Sequence, residues 1–110
     1  MGKLVYSDSR LAIEFDDRVL AHIQLVIAAK LRRHEGFFFS WRDDPAVGDG
    51  RSSIWLHSPM PLYFTYSKAG RIAINREWLE ELSQSANSPQ GLYLSNEPGG
   101  GETPRPRSYV

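Results

Sequence analysis

Apolar and polar residues change their repeat several times along the chain, and each change marks an element. Leu11, Ile13 and Phe15 alternate with Ala12 and Glu14, the two-residue period of a half-buried strand. With "KLVY" before them, they predict two strands joined by a turn at "SDSR", residues 7–10. Beyond Phe15 the repeat lengthens. Leu20, Ile23, Ile27 and Leu31 fall on one narrow helical face, with Val19 and Val26 beside it. Asp16 or Asp17 supplies an N-cap, and the helix is expected to reach about Glu35, with Gly36 suited to the left-handed position after its end. Its opposite face carries Arg18, His22, Leu25, Ala29, Arg32 and Arg33.

Alternation returns in "FFFSW", where Phe37, Phe39 and Trp41 share one side and Phe38 and Ser40 the other. Asp49-Gly50 is a hairpin signal. "RSSIWLH" and "PLYFTYS" read as further strands, separated by the prolines of "SPMP", and "RIAI" as a short one. Asn75 caps a second helix, "REWLEELSQSA", with Leu79, Leu82 and Ala86 on its buried side and Trp78 flanking; "LYLS" is a last strand. From Glu97 the chain holds three prolines and three glycines in fourteen residues, a composition that predicts a flexible tail. The organisation is therefore one domain over 1–96 and a tail over 97–110. The order β-β-α-β-β-β-(β)-α-β predicts an α+β domain: a mostly antiparallel sheet of about 5–7 strands with two helices packed on one face. Phe38, Trp55, Tyr63 and Tyr93 are expected to point away from the helices, leaving an apolar face for a partner or a second copy.

Charge changes this picture little. Thirteen basic and thirteen acidic residues cancel, which argues against a whole-protein field of the kind that drives nucleic-acid binding. Cysteine is absent, so disulfides, thiolate metal sites and cysteine nucleophiles are excluded. The longest apolar run, "VLAHIQLVIAA", is about half the ~20 residues of a membrane span, and "MGKLVYSDS" has no apolar secretory core. The expectation is a soluble, cytoplasmic protein that does not meet the membrane.

Together, "FDDRVLAHIQLVIAAKLRRHEGFFFSW", "GRSSIWLHSPMPLYF", "INREWLEELSQSANS" and "GLYLSNEP" resemble a family of small, uncharacterised actinobacterial proteins over about residues 1 to 98. Its members are often labelled ATP-dependent DNA ligases. The resemblance implies no catalytic residue. A ligase of that kind needs a lysine nucleophile in a K-x-D-G-x-R pattern; the nearest text is "KAGR", Lys68 to Arg71, which lacks the aspartate. Ligase activity is not expected.

Other chemistry fares no better. His22, His34 and His57 do not sit at HxxxH or HxxE spacing. Ser53 and His57 share a strand face but stand about 13 Å apart, too far for a relay. "DDPAVGDGRSS" fits neither a calcium loop nor a phosphate cradle. No catalytic residue, metal or cofactor is expected. What remains is binding. Arg18, His22, Leu25, Arg32 and Arg33 on the first helix offer charge for steering around a small apolar centre. The expected role is a non-catalytic interaction domain that docks a protein partner or its own copy. An alternative is nucleic-acid binding by the same arginines with Arg105 and Arg107 of the tail. A third reading is a ligand pocket near Trp41, Trp55 and His57.

Overall fold

A computed structural model describes residues 1–6 and 11–109; the turn expected at 7–10 lies outside the described residues. Strands β1 (Gly2–Tyr6) and β2 (Ala12–Phe15) pair antiparallel, with Leu4 opposite Ile13. Helix α1 (Asp17–Arg32) begins where the Asp16 carboxylate accepts the Arg18 amide at 2.9 Å, the expected cap. It ends three residues earlier than the pattern predicts. Arg33 closes it, and His34, not Gly36, adopts the left-handed conformation, with φ 59°.

Strands β3 (Phe37–Arg42) and β4 (Arg51–Leu56) form the expected hairpin, in register from Phe37–Leu56 to Arg42–Arg51. The connection holds a 3-10 turn at Pro45–Val47 and turns back at Asp49, whose φ is also 59°. Strand β5 (Leu62–Thr65) joins the free side of β1. Helix α2 (Arg76–Ala86) starts at Asn75, whose side chain accepts from the amides of Glu77 and Trp78. Strand β6 (Leu92–Tyr93) then runs parallel to β3. Gly91 allows that approach: its φ is 87°, and a side chain there would collide with the Phe38 carbonyl.

The class is α+β as the pattern predicts, with two α-helices and seven strands among the described residues. The strands are divided between two sheets, β5-β1-β2-β7 and β4-β3-β6. Their inner faces and the two helices enclose one core, in which Phe15, Phe39, Trp41, Trp78 and Leu82 are almost wholly buried.

Two expectations are corrected here. "RIAI" is not a strand: the carbonyl of Ala73 accepts from Arg18 Nη1 at 2.6 Å, and the Asn75 amide just beyond the run donates to His22 Nε2. Side chains of α1, not a neighbouring strand, hold this extended segment. Residues 97–109, expected as a tail, pack onto the domain. Thr103 and Pro106 are buried, Arg107 Nε meets the Asp44 carboxylate at 3.0 Å, and β7 (Arg107–Tyr109) pairs with β2. An open strand edge is a template for any extended segment within reach, and the composition of the segment does not report that edge.

Candidate functional site

The five residues picked out on α1 do not form one surface. His22 is fully buried. Its Nδ1 lies 2.7 Å from the Arg18 carbonyl one turn back, and its Nε2 accepts the Asn75 amide at 2.9 Å. Because Nε2 accepts, the proton sits on Nδ1. The ring also packs 4.6 Å from that of Trp78. A single amphipathic stripe would leave His22 outside, but α2 covers a second side of α1, so α1 is buried over a wider arc than its apolar residues mark. Lys30 is drawn in likewise, over the Phe37 ring and bonded to Glu35 at 2.7 Å and Asn87 at 3.1 Å.

Arg18 is committed too. Its guanidinium forks onto Glu97 at 3.0 and 2.7 Å, and Glu97 also accepts from the Asn75 side chain at 2.9 Å. The Arg18 and Asn75 hydrogen bonds hold the Glu97 carboxyl down to about 2, and the same fork raises Arg18 above its ordinary value. Arg33 turns to Glu35 at 3.1 Å. The Lys30 hydrogen bond, with Arg33 beside it, lowers the Glu35 carboxyl. No three-arginine phosphate patch is assembled along α1.

Leu25 and Arg32 do come together. They line a groove of about 950 Å³ between the outer side of α1 and the segment 66–74, with Ile72, Ile74 and Lys68 across from them. Leu25 is 46% exposed. Tyr66 spans the groove's base, donating its hydroxyl to Gln24 Oε1 at 2.6 Å, and burial raises its phenol. Asp17 anchors the start of the segment through the Ser67 amide and hydroxyl. Burial pushes the Asp17 carboxyl up, but the Ser67 bonds outweigh it and leave it lowered. Among the described residues no carboxylate lines the groove. The sequence pattern marks Leu25 but not Ile72 and Ile74, since a short alternating run such as RIAI reads as a strand.

The pocket imagined near Trp41, Trp55 and His57 does not exist as one site. Trp41 is buried, with its indole N–H donating to Asp43 at 3.0 Å, whereas Trp55 stands on the opposite face of the same sheet, 44% exposed. The Ser53 hydroxyl is paired with Ser40 at 2.6 Å. Among the described residues no three histidine or carboxylate side chains converge as metal ligands, and no helix is long and apolar enough to cross a membrane.

A family model for a domain of unknown function, DUF7882, matches residues 1–97. The chain belongs to that family. The matched region of this DUF7882 domain ends at Glu97, the residue that takes the Arg18 fork. No curated protein and no solved structure matches the chain.

Proposed function

We propose that this DUF7882 domain is a non-catalytic interaction module whose groove beside α1 takes an acidic, amphipathic segment of a partner protein. One observation carries the reading: a single concave surface joins exposed Leu25 with Ile72 and Ile74, is lined by Arg32 and Lys68, and has no carboxylate among the described residues that line it. Apolar anchors would seat on the aliphatic side chains, and acids would meet the two cations. Helix-in-groove recognition works through such anchors, while charge sets encounter rate and orientation. The non-catalytic part is supported by two candidate side chains being occupied structurally: His22 by Arg18 and Asn75, Ser53 by Ser40.

A displayed peptide library panned against the domain tests this. Selected peptides should pair leucine or phenylalanine with aspartate or glutamate, shift amide resonances of Gln24, Leu25 and Ile72, and lose binding to Leu25→Glu. A library that yields no binder, or binders that Leu25→Glu leaves untouched, defeats the reading. So does a dimer in light scattering that Leu25→Glu dissociates, because a second copy then fills the groove.

A further inference from the structure

The three strands of the second sheet show a different surface on the side away from the core. Their inward residues, Phe37, Phe39, Trp41, Ile54, Leu56 and Leu92, are buried. The register fixes what faces outward. Phe38 lies opposite Trp55, Ser40 lies between Ser53 and Tyr93, and Arg42 lies opposite Arg51. Phe38, Trp55 and Tyr93 are each more than two-fifths exposed. Phe38 and Trp55 meet edge to face with centroids 5.1 Å apart. The Trp55 ring lies against Gly36, where a side chain would displace it.

The strand residues of this face bring only positive charge. The strand sequences FFFSWR, RSSIWL and LY contain two arginines and no carboxylate, in a chain whose total charge is zero. Like charges directly opposite on neighbouring strands oppose sheet formation. Asp49 relieves Arg42 with an ion pair at 3.2 Å; among the described residues no ion pair involves Arg51. A purely apolar partner would leave the Arg51 guanidinium facing it with no ion pair among the described residues, and the Arg42–Asp49 pair beside it. A ligand with flat rings and a repeating negative charge uses both features.

We propose that the outer face of the β4-β3-β6 sheet binds single-stranded nucleic acid, with bases stacking on Phe38, Trp55 and Tyr93 and phosphates meeting Arg42 and Arg51. Stacking platforms beside cations are the common means of holding single strands without reading sequence, since every base has a π-face. The two arginines sit about 13 Å along the strands from the Phe38–Trp55 pair, so the site spans a few nucleotides. This surface is separate from the groove beside α1, and neither reading requires the other.

Tryptophan fluorescence isolates the site, because Trp41 and Trp78 are buried and Trp55 is exposed. Titration of the whole chain with oligo-dT and oligo-U 12-mers in 20 mM salt should quench Trp55 saturably. Fluorescence anisotropy of the labelled 12-mers should then show about a tenfold loss for Phe38→Ala, for Tyr93→Ala and for Trp55→Ala. The Arg42→Gln, Arg51→Gln double variant should lower the slope of log affinity against log salt by about 1.4. Gln84→Ala, exposed on α2 and outside both surfaces, should change nothing. The proposal is overturned if neither oligonucleotide binds in 20 mM salt. It is equally overturned if folded Phe38→Ala and Tyr93→Ala bind as the parent does, if neutral oligosaccharides quench Trp55 and oligonucleotides do not, or if light scattering shows a dimer that Trp55→Ala dissociates.

Discussion

Arg18 and Glu97, separated by 78 intervening residues, form a two-pronged ion pair that ties the first turn of α1 to the segment after β6. Asn75, the cap of α2, donates to the same carboxylate. One acid thus fastens both helix starts to the chain's last quarter.

Acid stability should report this pair. Glu97 titrates at about 2 in the folded protein, below its ordinary 4.5. Its contribution is therefore complete above pH 4.5 and is lost as pH falls from 4.5 toward 2. Glu97→Gln should lower stability at pH 7 by about 1–2 kcal/mol, the range of a partly exposed charge-assisted bond. It should also flatten the fall between pH 4.5 and 2. Urea melts at pH 7, 4 and 2.5 measure both; parallel curves for the parent and the variant would show that the pair contributes nothing.

His22 should behave as a core residue. His22→Ala removes the acceptor of the Asn75 amide and opens a void beside Trp78. The cost should be about 3 kcal/mol, from a stranded buried donor and lost packing. Arg32→Ala, on the exposed end of the helix, should stay within about 0.5 kcal/mol. Comparable losses for the two in thermal denaturation would mean that His22 is not enclosed.

Removal of residues 98–110 should destabilise the domain although the matched family region remains whole. The cut deletes β7, uncovers the β2 edge and takes away the Arg107–Asp44 pair. The Ala46 amide and Arg107 keep the Asp44 carboxyl below its usual range. A lower melting temperature and concentration-dependent aggregation are expected, because an open edge recruits other chains. An unchanged melting temperature would show that the segment's packing adds nothing.

Lys68 should not form an adenylate. It is exposed beside Gly70 in the groove wall and lacks the aspartate of the ligase motif. Incubation with labelled ATP and magnesium should leave the protein unlabelled; a covalent adduct on any lysine would end the non-catalytic reading.

Helix and strand are legible in the residues wherever a local pattern had a local cause. Asp16 and Asn75 cap the helices they announce, the β3–β4 hairpin turns at Asp49-Gly50, and alternation in FFFSW separates Phe39 and Trp41 inside from Phe38 outside. Whatever depends on a second element was set by packing. The covering of α1 by α2 put His22 in the core, the Arg18 and His22 side chains kept "RIAI" out of a sheet, and the free edge of β2 gave Arg107–Tyr109 a place. Periodicity records which side of a segment avoids water, whereas the identity of the neighbour that excludes the water is a property of distant residues, and no local repeat encodes it.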